Sequence, residues 1–195
     1  MYILSAGLLL FSRRLKMFKN VSMLKTDENE AAQKHYFVQC EGKDVCVKPN
    51  RDYTKTHMWI KTTLEGNQKI GITDYAQLHL REKVGLVEIF KNTTVGQEVA
   101  AGEVFGTVYG RPCANLDEMR CEYIAFDLIA PISGKIVAIN DQVMETPDVI
   151  NASPYDDGWI VAITPEIEPD LSHLITAKAY KTMLEKQEKS PFRVL

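Results

Sequence analysis

Three consecutive stretches decide how this chain is read: VGQEVAAGEVFGTV (Val95–Val108), YGRPCANLDEMRCEYIAFDLI (Tyr109–Ile129) and APISGKIVAIN (Ala130–Asn140). In the first, Thr94–Gly96 and Gly102 supply turns, and Val104–Val108 has strand composition. In the third, Ser133–Gly134 turns the chain. Ile132–Asn140 then alternates apolar and polar residues, the two-residue period of a half-buried strand. Two regular strands therefore flank a middle stretch of different character. There Gly110, Pro112, Asn115 and Asp117 favour an irregular loop, and Glu118, Arg120 and Glu122 charge it. Its length exceeds a tight turn, so it is expected to leave the body as a solvent-exposed excursion. No lysine occurs between Lys91 and Lys135.

Outward from these stretches, short strands and turns dominate. Met58–Thr62 reads as a strand, Leu64–Asn67 as a hairpin turn centred on Gly66, and Ile70–Ile72 as its return. Asp74–Leu80 reads as a short helix with Tyr75, Leu78 and His79 on one face. Thr73 can cap it, and Asp74 is a second candidate for that role. Gly85–Phe90 is a strand, Asp141–Ile150 a loop or short helix, and Asp156–Asp157–Gly158 a turn. Trp159–Ile163 follows as a buried strand, with Trp159 filling the interior. Leu174, Ala177, Tyr180, Met183 and Leu184 recur at helical spacing after Asp170 or Ser172, either of which can cap them. The pattern predicts an all-β-dominated fold: a compact barrel or barrel-like sandwich with short helices and a C-terminal helix.

Composition excludes several function classes. A net charge of −3, with 45% hydrophobic and 25% charged residues, provides no broad basic field for nucleic acid. Cys40, Cys46, Cys113 and Cys121 lack C-x-x-C spacing. His35, His57, His79 and His173 are scattered, so no metal site is expected. No phosphate loop or nucleophile elbow appears, which points away from an independent enzyme. Sequons begin at Asn20, Asn92 and Asn151 and matter only in a secreted chain. Residues 1–26 contain no Asp or Glu but include Arg13, Arg14, Lys16, Lys19 and Lys25, the composition of a mitochondrial presequence. The rival is a secretory signal built on Tyr2–Phe11, whose basic residues follow the apolar run instead of preceding it. That run is too short for a membrane span, which needs roughly 20 residues.

Five blocks carry a family likeness: YTKTHMWIK (Tyr53–Lys61), IGITDYAQ (Ile70–Gln77), VGQEVAAGEVFGTV (Val95–Val108), APISGKIVAIN (Ala130–Asn140) and PDVINASPYDDGWIVAI (Pro147–Ile163). Together they resemble the lipoyl-carrier domain of glycine cleavage system H proteins. The resemblance implies a lipoyl-domain-like β-domain over residues 53–165, after a presequence (1–26) and a linker or one early strand (27–52). A C-terminal helix and tail (166–195) would follow, with residues 109–129 an atypical insertion. It implies a mitochondrial matrix carrier, itself without catalytic residues, that serves glycine decarboxylase, aminomethyltransferase and dihydrolipoyl dehydrogenase. Lipoylation enzymes are a further possible partner class, and no membrane partner is expected. His57 stands where the family has a histidine lining the cleft that shelters the loaded arm, and Asp74 is a second candidate for that lining. Met58 replaces a family glutamate, and Leu80–Lys83 replaces the family's L-G-D step.

In the family, lipoate is amide-linked to one lysine in a tight turn just before the A-P-x-S-G block. Aligned from Asp127, that lysine falls at Tyr123; aligned from Val108, it falls at Pro112. Neither offers an amine, so no lipoyl attachment residue is assigned and the chain as written is expected to carry no lipoate. Lys91 and Lys135 lie outside the expected hairpin tip. Two accounts of the insertion stay open: a remade docking loop on a non-lipoylated binding or regulatory module, or a misjoined or alternatively spliced form of a true carrier.

Overall fold

Residue Gly71 faces the indole of Trp59 across two paired strands, and a Cβ there would come within 2.8 Å of the ring. This close approach organises the molecule, because it lets one strand bury both of its faces. The computed structural model describes residues 34–80, 83–111, 113–115, 120–122, 124–166 and 169–189. The expected presequence and the end of the tail lie outside the described residues.

The strands are β1 (Tyr36–Cys40), β2 (Lys43–Val47), β3 (Asp52–Tyr53), β4 (Met58–Thr62), β5 (Gln68–Ile72) and β6 (Val84–Ile89). They continue as β7 (Glu98–Val99), β8 (Val104–Gly110), β9 (Cys113–Asn115), β10 (Arg120–Glu122) and β11 (Ala125–Ile129), then β12 (Gly134–Ile139), β13 (Val161–Pro165) and β14 (Ile175–Thr176). The helices are α1 (Asp74–His79), α2 (Asp141–Glu145), α3 (Asp148–Ala152) and α4 (Ala177–Lys189). Antiparallel pairing makes a seven-stranded sheet in the order β14-β3-β4-β5-β13-β12-β7 and a three-stranded sheet in the order β11-β8-β6. Neither sheet closes on itself, so of the two expected architectures the fold is the sandwich-like one.

Alternation along β4 explains the two cores. Met58 and Ile60 face a core with Ile70, Ile72, Ile136, Val161 and Ile163, against Val87, Phe105, Val108 and Leu128 of the smaller sheet. Trp59 points the other way, into a cluster with Tyr53, Tyr75, Tyr155 and Tyr180. Each large apolar side chain so buried contributes about 2–3 kcal/mol. Arg51 completes the second core. Its guanidinium lies 4.8 Å from the Trp59 ring and 5.1 Å from that of Tyr155, donates to the Tyr155 carbonyl, and reaches Asp156 at 3.5 Å.

The structure revises several sequence expectations. Residues 36–47 form a full hairpin instead of a linker or one strand, with Val38, Cys40, Val45 and Val47 packed into the second core. Its two-residue turn uses Glu41 at φ 51° and Gly42 at φ 81°, the left-handed pair that matches strand twist. Trp159 is only partly buried and takes Lys69 Nζ at 4.8 Å over its ring. The deep aromatic position belongs to Trp59, which Gly71 makes room for. Neither Asp170 nor Ser172 caps α4. Asp170 accepts the Ser172 N–H at 2.9 Å in a local turn, Ile175–Thr176 pair with β3, and Thr176 Oγ1 accepts the Ala179 N–H at 3.3 Å. The edge strand β14 therefore delays the helix.

Candidate functional site

The β8–β11 pair flanks the stretch where the carrier turn is expected. Thr107 pairs with Asp127, Val108 with Phe126 and Tyr109 with Ala125, and the Gly110 N–H donates to the Ile124 carbonyl at 2.8 Å. The stretch between Gly110 and Ile124 lies beyond this pairing. Further on, β9 and β10 form their own two-stranded sheet, one residue out of the β8–β11 register: Asn115 pairs with Arg120, Ala114 with Cys121 and Cys113 with Glu122. The stretch expected to be an irregular loop therefore contains a pair of short antiparallel strands among its described residues. Pro112 and Tyr123, the two alternative positions for the lysine, lie outside the described residues, as does Asp117.

The base of this hairpin is fastened to the body. The Arg111 N–H donates to the Lys83 carbonyl at 2.9 Å, and its guanidinium pairs with Asp148 at 2.5 Å. Asn151 of α3 acts like one more strand residue against β6. Its Oδ1 accepts the Val84 N–H at 2.7 Å and its Nδ2 donates to the Val84 carbonyl at 3.1 Å. Gln77 and Asp148 complete the clip at 3.2 and 2.7 Å. The amide at this sequon is therefore engaged internally. Sequence reasoning missed Arg111 and Asn151 as anchors, because their partners stand far away in the chain.

The two candidate cleft residues meet at the start of α1. His57, at φ 60°, accepts the Thr73 N–H on its carbonyl at 3.0 Å. Its Nδ1 lies 2.9 Å from Tyr180 Oη, which lies 3.0 Å from Thr73 Oγ1. Its ring packs at 4.5 Å from Tyr75, which in turn stands against His79 at 4.4 Å. Burial, with a smaller effect of His79, pushes the His57 imidazole down to about 4. Asp74 is not the helix cap. Thr73 Oγ1 accepts the Ala76 N–H at 3.2 Å, while Asp74 Oδ2 accepts the Cys46 N–H at 2.8 Å and ties α1 to the β1–β2 hairpin. Burial raises the Asp74 carboxyl against the opposing effect of that bond. From these residues α1 runs to Leu80, whose carbonyl would lie 2.5 Å from a Cβ at Gly110. One short helix, about 9 Å long by its rise per residue, thus links His57 to the hairpin base.

Of the remaining departures, Met58 is wholly buried in the larger core, where a glutamate would lack water. In Leu80–Lys83, Leu80 is buried and Lys83 exposed, while Arg81 and Glu82 lie outside the described residues. Among the described residues no group of three or more His, Cys, Asp or Glu could hold a metal ion, and no helix is long and apolar enough to cross a membrane.

Comparison with known proteins joins this geometry to a family. The family model for the glycine cleavage H-protein matches residues 51–187. The chain belongs to the glycine cleavage H-protein family. It is 35% identical over 133 residues to the glycine cleavage system H protein of Salmonella arizonae, covering 68% of this chain and 92% of that one. It is 37% identical over 132 residues to that of Geobacillus kaustophilus, covering 68% and 91%. A crystal structure of the H protein from Mycobacterium marinum superimposes with TM-score 0.54 at 31% identity, covering 69% of this chain and 96% of that chain. H proteins are lipoyl carriers and not catalysts. An amide to lipoate needs an amine, and residues 92–134 contain no lysine.

Proposed function

We propose that this H-protein family member is a docking component of a mitochondrial glycine cleavage system, with no lipoyl group at the family's turn. The observation that carries this reading is the β8–β11 register. The ladder that holds the carrier turn is kept on both sides, while the turn itself is replaced by a lysine-free extension. The acid-free, basic residues 1–26 support the mitochondrial matrix as its place. The partners are the glycine decarboxylase, the aminomethyltransferase and the dihydrolipoyl dehydrogenase. His57 and Asp74 stand at the other end of α1 from the hairpin base, tied to Tyr180 and to the β1–β2 hairpin.

Competition tests it. Glycine decarboxylation is run on a lipoylated bacterial H protein and the full chain is titrated in. The expected result is inhibition that excess lipoylated H protein relieves. A chain that is folded yet leaves the rate unchanged at large excess overturns the reading.

A further inference from the structure

The three-stranded sheet has one covered face and one open one. Val87, Val108, Phe126 and Leu128 turn into the larger core. The residues that alternate with them point away from it and align across the strands in two rows, Leu86–Tyr109–Ala125 and Glu88–Thr107–Asp127. Leu86 is 52% exposed, and Tyr109 Oη donates to Glu88 Oε2 at 3.3 Å. Thr107 is buried between the two carboxylates and donates to Asp127 Oδ1 at 3.4 Å. No described residue pairs a cation with Glu88 or Asp127. Past the bulge, exposed Val104 pairs with Ile129, so the acidic row lies between two apolar ones.

Strand β11 is also an edge, at the end of the order β11-β8-β6. The Gly110 N–H bonds to the Ile124 carbonyl, so by the alternation of an antiparallel ladder Phe126 and Leu128 turn their backbone groups to β8. Ala125 and Asp127 turn theirs outward, and no described residue bonds to them. Such an edge is a template for one more strand.

We propose that β11 accepts an extended segment of a partner protein as an added antiparallel strand, recognised by a basic side chain opposite Asp127 and apolar side chains two residues to either side. The added strand would lie about 4.8 Å from β11. Its residue opposite Asp127 exchanges two backbone hydrogen bonds with it and extends the acidic row on the open face. Lysine or arginine there meets Asp127, in the field of Glu88. The residues two positions away extend the apolar rows, against Ala125 and Ile129. A second copy of β11 is a poorer occupant, because antiparallel pairing centred on this strand sets Asp127 against Asp127. The proposal goes beyond the docking reading and does not rest on it, since it is tested without the decarboxylase.

The probe is a short fluorescein-labelled peptide, threonine-rich, with a central lysine and a valine two residues to each side. It is titrated into the full chain and read by anisotropy and by hydrogen exchange. The expected result is saturable binding with slowed exchange at the Ala125 and Asp127 amides. Replacing the peptide lysine by glutamate, or methylating its backbone nitrogen, should weaken binding about tenfold or more. In Asp127→Lys, checked for folding by melting, the order of the lysine and glutamate peptides should reverse. No saturable binding at millimolar peptide, equal binding of the lysine and glutamate peptides to the parent chain, or unchanged exchange at Ala125 and Asp127 overturns the proposal. A chain that sediments as a dimer and excludes the peptide overturns it in favour of a second copy.

Discussion

At the scale of single residues, His57 and Arg51 show what burial does to polar groups. The His57 imidazole is held near 4, below its ordinary value of about 6.5, so between those values the unfolded chain binds the proton first. The stability that comes from keeping His57 neutral is complete above about pH 6.5 and is lost as pH falls towards about 4, by about 3 kcal/mol at most. Asp52 and Asp74 are raised by burial and run the opposite way, since the folded state takes up their protons first on acidification. Urea midpoints between pH 7 and 4 should therefore fall for the parent chain and flatten in His57→Asn, because asparagine tolerates the φ of 60°. An unchanged slope in that variant would remove His57 as the cause. Arg51→Ala should cost about 2–3 kcal/mol, from two lost cation–π contacts and the bond to the Tyr155 carbonyl. Thermal melts read this directly. The Arg51 side chain is wholly buried, and nothing local in its sequence announces that.

At the scale of elements, the legible parts were those whose signals are local. The Gly66 turn, the Thr73 cap and the β4, β6 and β12 strands follow from turn chemistry and period-two patterning. The β1–β2 hairpin was not legible, because its Glu41–Gly42 turn is a weak signal and its apolar residues find their partners on α4. Asn151 is a tertiary device of the same kind, a side-chain amide that completes a sheet edge. Asn151→Ala should leave both Val84 backbone groups without that partner and cost about 2 kcal/mol. Hydrogen exchange should accelerate first at Val84 and along the β6–β8 ladder. Uniform acceleration across the molecule would mean that Asn151 stabilises the whole fold and not this edge.

At the scale of the whole molecule, the hairpin extension separates scaffold from chemistry. Replacing the chain between Gly110 and Ile124 by a short family-like turn with one lysine should yield a lipoyl adduct at that turn with lipoate ligase. Melting should shift by only a few degrees, because the Gly106–Leu128 and Tyr109–Ala125 rungs remain. If the folded variant gains no adduct at the new lysine, the divergence reaches beyond the turn. The changes at Met58 and Leu80–Lys83 are then the next positions to revert.

The sequence by itself determined the strand-rich class, the family blocks on both sides of the insertion, and the lack of any lysine in residues 92–134. Each of these is a matter of residue identity or local periodicity. Only the tertiary structure decided that β8 and β11 pair up to Gly110 and Ile124, where the insertion begins. It also decided that Trp59 and not Trp159 fills the deep position. The reason is physical: sheet pairing joins residues far apart in the chain, and it sets which side chains share a core.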